Sequence, residues 1–131
     1  MNYDEIIEDP LFTELQFSEE WIEAEIINIE VFASIKKEYI KGEDHRAEHH
    51  RWKAFRLFLQ ANDSIPEEKF NILYYIGKND SDYSMGRAIL FDILKRSDCP
   101  LELIDKTLND NDVTLARHAL KCKSKRLKHL Q

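Results

Sequence analysis

The 131-residue sequence predicts an all-α chain, a short α-solenoid of about seven helices in antiparallel hairpin repeats. Three observations carry that expectation. Only three glycines and three prolines interrupt the chain, too few for a turn-rich β-sandwich or for long linkers. Apolar residues recur at helical spacing through most of its length. A pattern of helix-start residues repeats at an offset of thirty. With 43% hydrophobic and 34% charged residues, the composition fits a single globular helical-repeat domain over 1–131, neither disordered nor membrane-embedded.

The elements follow in order. Asp9 before Pro10 reads as an N-cap with proline at the first helical position, starting a brief helix that carries Leu11, Phe12 and Leu15. Ser18 then caps a long helix over 18–40, with Glu19 and Glu20 in the first turn, where the helix dipole favours acids. Along it Ile22, Ile26, Ile29, Ala33 and Ile40 form one stripe. Trp21, Ile27, Val31, Phe32, Ile35 and Tyr39 widen that stripe, so burial on more than one side is expected. Its narrow polar face holds Glu19, Glu23, Glu30 and Lys37.

Gly42-Glu43-Asp44 breaks this helix and leads into another over 45–60, with Arg46, His49, His50 and Lys53 on one face and Phe55, Phe58 and Leu59 on other sides. Ser64-Ile65-Pro66-Glu67 reads as a capping box for a helix that carries Phe70, Leu73, Tyr74 and Ile76 and stops near Gly77. Asp80-Ser81-Asp82 opens a helix through Met85, Ile89 and Leu94, and Cys99-Pro100 opens one with Leu101, Leu103, Ile104 and Leu108. Asp110-Asn111-Asp112 opens a further helix through Val113, Leu115, Ala119 and Leu120.

The segments 79–90 and 109–120 align without gaps as N-D-x-D-Φ-x-Φ-small-R-x-Φ-L. The aspartates cap the second helix of a hairpin, and the small residue, Gly86 or Ala116, lets helices approach closely. Over about residues 66–121 these motifs resemble the HEAT-like and leucine-rich-variant helical repeats, with a weaker third unit over 18–60. The resemblance implies a binding scaffold, and a scaffold alone names no function.

Candidate chemistry is sparse. His45 and His49 at i, i+4 would let both side chains face one metal ion, and a metal-dependent enzyme built on them is one alternative reading. Arg46 and Arg51 oppose a cation there, and Glu48 does not complete an H-E-x-x-H pattern. No phosphate-binding glycine loop, nucleophile elbow or C-x-x-C pair occurs, so neither an enzyme, nor a metal, nor a cofactor is expected. The N-terminus lacks the basic and apolar regions of a secretory signal, and no apolar run approaches the roughly eighteen residues of a membrane span. A cytosolic, reduced chain with structural Cys99 and Cys122 is expected.

Charge is the most informative remaining feature. The net value is −6, yet residues 1–30 hold ten acids and no Lys or Arg, while residues 121–131 hold five basic residues and no acid. The basic tail, with Arg46, His49, His50 and Lys53, supports a second alternative, a nucleic-acid-binding repeat module; in a chain this acidic, nucleic acid is not the expected partner. The acidic head supports the leading reading. Asp4, Glu5, Glu8, Glu19, Glu23 and Glu30, with Trp21 as an aromatic anchor, form a candidate surface for a basic protein partner. Among the neighbouring aromatics, Phe12 and Phe17 are assigned to the core. In size, acidity and lack of catalytic motifs the chain resembles the small helical immunity proteins. That resemblance implies an inhibitor that masks the active cleft of a basic toxin, a nuclease being the leading candidate.

Overall fold

A computed structural model describes residues 2–42 and 44–129, so Glu43 of the expected break and the side chain of His129 lie outside the described residues. The fold is all-α, with nine helices and no strand among the described residues: α1 (Tyr3–Glu8), α2 (Pro10–Glu14), α3 (Glu19–Glu23), α4 (Ile29–Ile40), α5 (Ala47–Ala61), α6 (Glu67–Lys78), α7 (Tyr83–Leu94), α8 (Leu101–Thr107) and α9 (Val113–His129). The chain divides into two compact units, Met1–Asp63 and Ser64–Gln131, each with its own core. No helix among the described residues is long and apolar enough to cross a membrane.

In the first unit, the Asp9 side chain accepts from the Leu11 N–H at 2.9 Å and Pro10 opens α2, as the sequence predicts. The expected continuous helix over 18–40 is corrected: it is two helices, α3 and α4, separated at residues 24–28. Glu25 adopts φ 65°, its N–H bonds the Ile22 carbonyl, and the Ile26 N–H bonds the Trp21 carbonyl. Those two bonds make a Schellman ending. Nine residues earlier α2 ends the same way, with Gln16 at φ 64°, its N–H on Thr13 and the Phe17 N–H on Phe12. Both endings place a non-glycine residue in the left-handed position, so no glycine announces them. Asn28 then caps α4 through the Val31 N–H at 2.8 Å, and Gly42, at φ 73°, follows its end. A further helix, α1, precedes Pro10, with Asn2 accepting from the Glu5 N–H.

These short helices are held by a run of aromatic contacts. Phe12 meets Phe17 at 6.0 Å and Phe32 at 6.3 Å between ring centroids; Trp21 meets Phe17 at 5.1 Å and Phe55 at 6.3 Å. The Arg51 guanidinium, 2% exposed, donates to the Leu15 carbonyl at 2.9 Å and so satisfies an acceptor that the end of α2 would otherwise leave open.

In the second unit, α6 packs on α7, α8 on α9, and α7 on α9. The capping box at Ser64 is corrected: α6 starts at Glu67 with Pro66 in the cap position, and the Ile65 N–H bonds Asp98 Oδ2 at 2.8 Å. A residue before proline avoids helical dihedrals, so Ile65 cannot open the helix. The two Asp-x-Asp turns do share local geometry. Asp80 accepts from the Asp82 N–H at 2.8 Å and Asp110 from the Asp112 N–H at 2.9 Å. Asp82 then caps through Met85 at 2.9 Å and Asp112 through Leu115 at 3.2 Å. Gly86 sits against the Gly77 carbonyl so closely that a Cβ there would lie inside 3.0 Å of it, the close approach that the small residue predicts.

Candidate functional site

The acidic residues singled out from the sequence divide among three helices of the first unit. Asp4, Glu5 and Glu8 are exposed on α1, and Glu19 and Glu23 are exposed on α3, each of the pairs 4/8 and 19/23 one helical turn apart. Glu30 is exposed in the first turn of α4; with α3 and α4 separate, it does not continue the Glu19–Glu23 face of one helix. Asp4, Glu8, Glu19, Glu23 and Glu30 have no ion-pair partner among the described residues. Asp9 does have one: Lys36 Nζ lies 2.7 Å from its Oδ2 and holds its carboxyl below the usual value. Within the acidic head, Asp9 is thus paired from α4, a contact the sequence reading did not anticipate. Glu14 is engaged too, accepting from the Tyr39 hydroxyl at 2.7 Å.

Trp21 is corrected from anchor to core. It is 3% exposed and wedged edge-on between Phe17 and Phe55. Phe12 and Phe17 are buried, as assigned.

What the first unit offers instead of a protruding anchor is a recess. Val31, Ser34 and Ile35 of α4 face Ala54 and Leu57 of α5 across a groove of about 220 Å³. Glu30 lines it with the Glu38–Lys53 ion pair at 2.6 Å and with His50. Lys53 lowers the Glu38 carboxyl by its hydrogen bond. The volume falls below the roughly 300–1,000 Å³ typical of small-molecule sites, and the walls are mostly apolar, so the groove suits one or two inserted side chains. Leu57, 53% exposed, stands open on it. Sequence reasoning missed this groove because its two walls come from different helices, with Glu38 and Lys53 fifteen residues apart.

The histidines do not form the arrangement that their spacing allows. His45 precedes α5 and is stacked edge-on against Tyr39 at 4.8 Å, so it is not one turn from His49 on a shared helix. His49 Nδ1 meets the Asp44 carboxylate, which Arg46 also grips with Nε and Nη2. Hydrogen bonds from Arg46, its side chain first and then its backbone N–H, and then from His49, hold the Asp44 carboxyl far below the usual carboxylate range. His50 Nε2 contacts the Asp44 carbonyl at 2.7 Å. Among the described residues no three His, Cys, Asp or Glu side chains gather where a metal ion would sit.

Comparison with family models, curated proteins and solved structures gives no match.

In the second unit, the basic residues of the tail are the final turns of α9 and are sorted by direction. Lys123 reaches Asp105 at 2.7 Å, and Arg126 donates to the Arg96 and Cys99 carbonyls. Lys121, Lys125 and Lys128 are exposed. Both cysteines are free; burial pushes the Cys99 thiol up to about 12 and raises that of Cys122.

Proposed function

We propose that the chain is a protein-binding module whose first unit captures a basic protein, and that it acts as an inhibitor of the immunity type by masking the active cleft of a basic toxin, a nuclease being the leading candidate. The observation that carries this reading is the state of the acids: Asp4, Glu8, Glu19, Glu23 and Glu30 stand in solvent with no cation beside them among the described residues. Unpaired like charges repel one another and cost stability, while complementary charge on a partner relieves that repulsion and speeds encounter. The groove of α4 and α5 supplies the second half of the mechanism. An apolar side chain of the partner enters between Val31 and Leu57, with Glu30 at the rim to meet a neighbouring cation. The anchor is then the partner's, in place of Trp21.

The scaffold reading is part of this proposal. The paired Asp-x-Asp turns, and the Arg87–Asp112 contact at 2.8 Å that links one hairpin of the second unit to the next, support HEAT-like repeats of a short solenoid. The nucleic-acid alternative is weakened because Lys123 and Arg126 of the tail are engaged with protein acceptors.

Co-expression with basic toxins encoded in neighbouring reading frames tests the function: growth is restored by the wild-type chain. The combined substitution Glu19→Lys, Glu23→Lys and Glu30→Lys slows association by about tenfold or more at low ionic strength, with the difference shrinking as salt rises. Unchanged affinity and unchanged salt dependence in that variant would overturn the role of the acidic surface.

A further inference from the structure

Helix α9 has an inner and an outer side. At about 100° per residue, Leu115, Ala119, Cys122 and Arg126 fall on one half of the helix, and they are buried or half-buried. The other half is exposed and divided lengthwise. Val113, Leu120 and Leu127, at 60%, 56% and 45% exposure, run along one edge. Arg117, Lys121, Lys125 and Lys128 run along the other, within an arc of roughly 80°. None of these four cations has an ion-pair partner among the described residues, in contrast to Lys123 and Arg126. The face is thus a basic ridge beside an apolar one, with nothing of its own unit covering either.

The same molecule carries the complement. Asp4 and Glu8 on α1, and Glu19 and Glu23 on α3, are exposed, unpaired among the described residues, and spaced one helical turn apart. Arg117, Lys121 and Lys125 have that same spacing, about 6 Å along the axis. Tyr3, 49% exposed, adds an apolar group beside the α1 acids to meet the leucine edge.

We propose that the outer face of α9 is a docking surface for a second copy of this chain, which presents its α1 and α3 acids to the cations of α9. The contact pairs the second unit of one copy with the first unit of another, and every copy carries both halves of it. The proposal rests on the reading of the acidic face as a docking surface for basic chemistry, and it adds a regulation of that face. A copy whose acids are held by a neighbour's α9 cannot offer them to a basic partner, so self-association and partner capture compete.

Sedimentation of the full chain from about 10 μM to about 1 mM tests this, since exposed charge pairs give weak contacts in that affinity range. At low salt the wild-type mean mass rises with concentration, and the association weakens about tenfold or more on raising ionic strength toward about 0.3 M. The variants Lys121→Glu/Lys125→Glu and Glu19→Lys/Glu23→Lys, all at exposed positions, each stay monomeric alone. Mixed, they associate, because each now presents the charge that the other needs. A wild-type chain that stays monomeric throughout, or an α9 variant that associates as well as the wild type, overturns the proposal. Lysozyme serves as a generic basic probe to separate the two ideas. If the α9 variant binds it in a salt-dependent way while the wild type remains monomeric, self-docking fails and the acidic-face reading stands. If the probe does not bind at low salt either, the acidic-face reading fails as well. Binding of wild-type monomer to anionic vesicles or to DNA through α9, without self-association, also overturns the proposal.

Discussion

Gly86→Ala sets two effects of opposite sign against each other. Gly86 lies within α7, where alanine is favoured over glycine by about 1 kcal/mol from helix propensity alone. Against this, the new Cβ would lie inside 3.0 Å of the Gly77 carbonyl oxygen, a backbone atom of α6 that cannot rotate away. Relief requires α6 and α7 to separate by roughly half an ångström to one, and gaps of that size forfeit about a quarter to a half of each contact across the seam. The seam includes Ile89 and Leu90, at 0% and 3% exposure, which already crowd Gly77. Overpacking of this kind costs about 1–3 kcal/mol and occasionally more. The forced separation is between two backbones, so the upper part of that range applies and the net loss is about 1–2 kcal/mol. For a unit of this size the melting temperature then falls by roughly 4–16 °C. Thermal and urea unfolding of the full chain, followed by circular dichroism, measure it. A comparison with Ala116→Gly in α9 isolates the propensity, since both substitutions should destabilise although only one weakens the helix. If Gly86→Ala is as stable as the wild type or more stable, the close approach of α6 and α7 is wrong.

Two further predictions concern the first unit's breaks and the pH dependence. Glu25→Gly should stabilise by about 0.5–1 kcal/mol, because a side chain at φ 65° is strained and glycine is not; one continuous helix over 18–40 would instead make the same change cost about 1 kcal/mol. Chemical denaturation decides the sign. Stability should fall as pH is lowered below about 4. At Asp98, Asp110 and Asp112 burial pushes the carboxyl up, but hydrogen bonds, chiefly from Arg96, Lys78 and Arg87 respectively, outweigh it, so all three stay below the ordinary 3.8. Asp9 is lowered by Lys36. With depressed folded values, the stabilisation is fully present above the unfolded value and is lost as pH falls through the folded ones. Urea midpoints across pH 2–6 measure this (roughly the span over which carboxylates titrate), and a flat profile would remove the role assigned to these pairs.

Local chemistry was legible in the sequence where one residue type does one job. Asp9-Pro10 and the two Asp-x-Asp turns act within a few residues of themselves, the small residue at 86 acts on the helix just before its own, and each is found in its expected role. The break after α3 was not legible, because Glu25 fills a left-handed position that glycine normally marks; the end of α2, equally unmarked at Gln16, was read only from the Ser18 cap that follows it. That hidden break misled the site reading as well: joining α3 to α4 put Glu30 in line with Glu19 and Glu23. Trp21 shares a short helix with three acids, which gave it the look of a surface anchor; only its contacts with Phe17 and Phe55 place it in the core. The α4–α5 groove has no sequence signature at all, since Glu38 and Lys53 meet only after the chain has turned.

The brevity of α1, α2 and α3, at six, five and five residues, has a kinetic consequence. Isolated helices shorter than about 12–15 residues do not persist in water, so α2 and α3 exist only while Phe12 is seated against Phe32 and Trp21 against Phe55, and α1 only while its buried Ile6 side packs on α2 and α4. The first 25 residues should therefore condense late in folding, onto α4 and α5, and open first in the native state. In amide hydrogen exchange they would lose protection together, as one cooperative patch, ahead of α5. The acids Asp4, Glu8, Glu19 and Glu23 ride on that patch, so the negative field of the first unit can be dissolved by a local opening that leaves α5 intact.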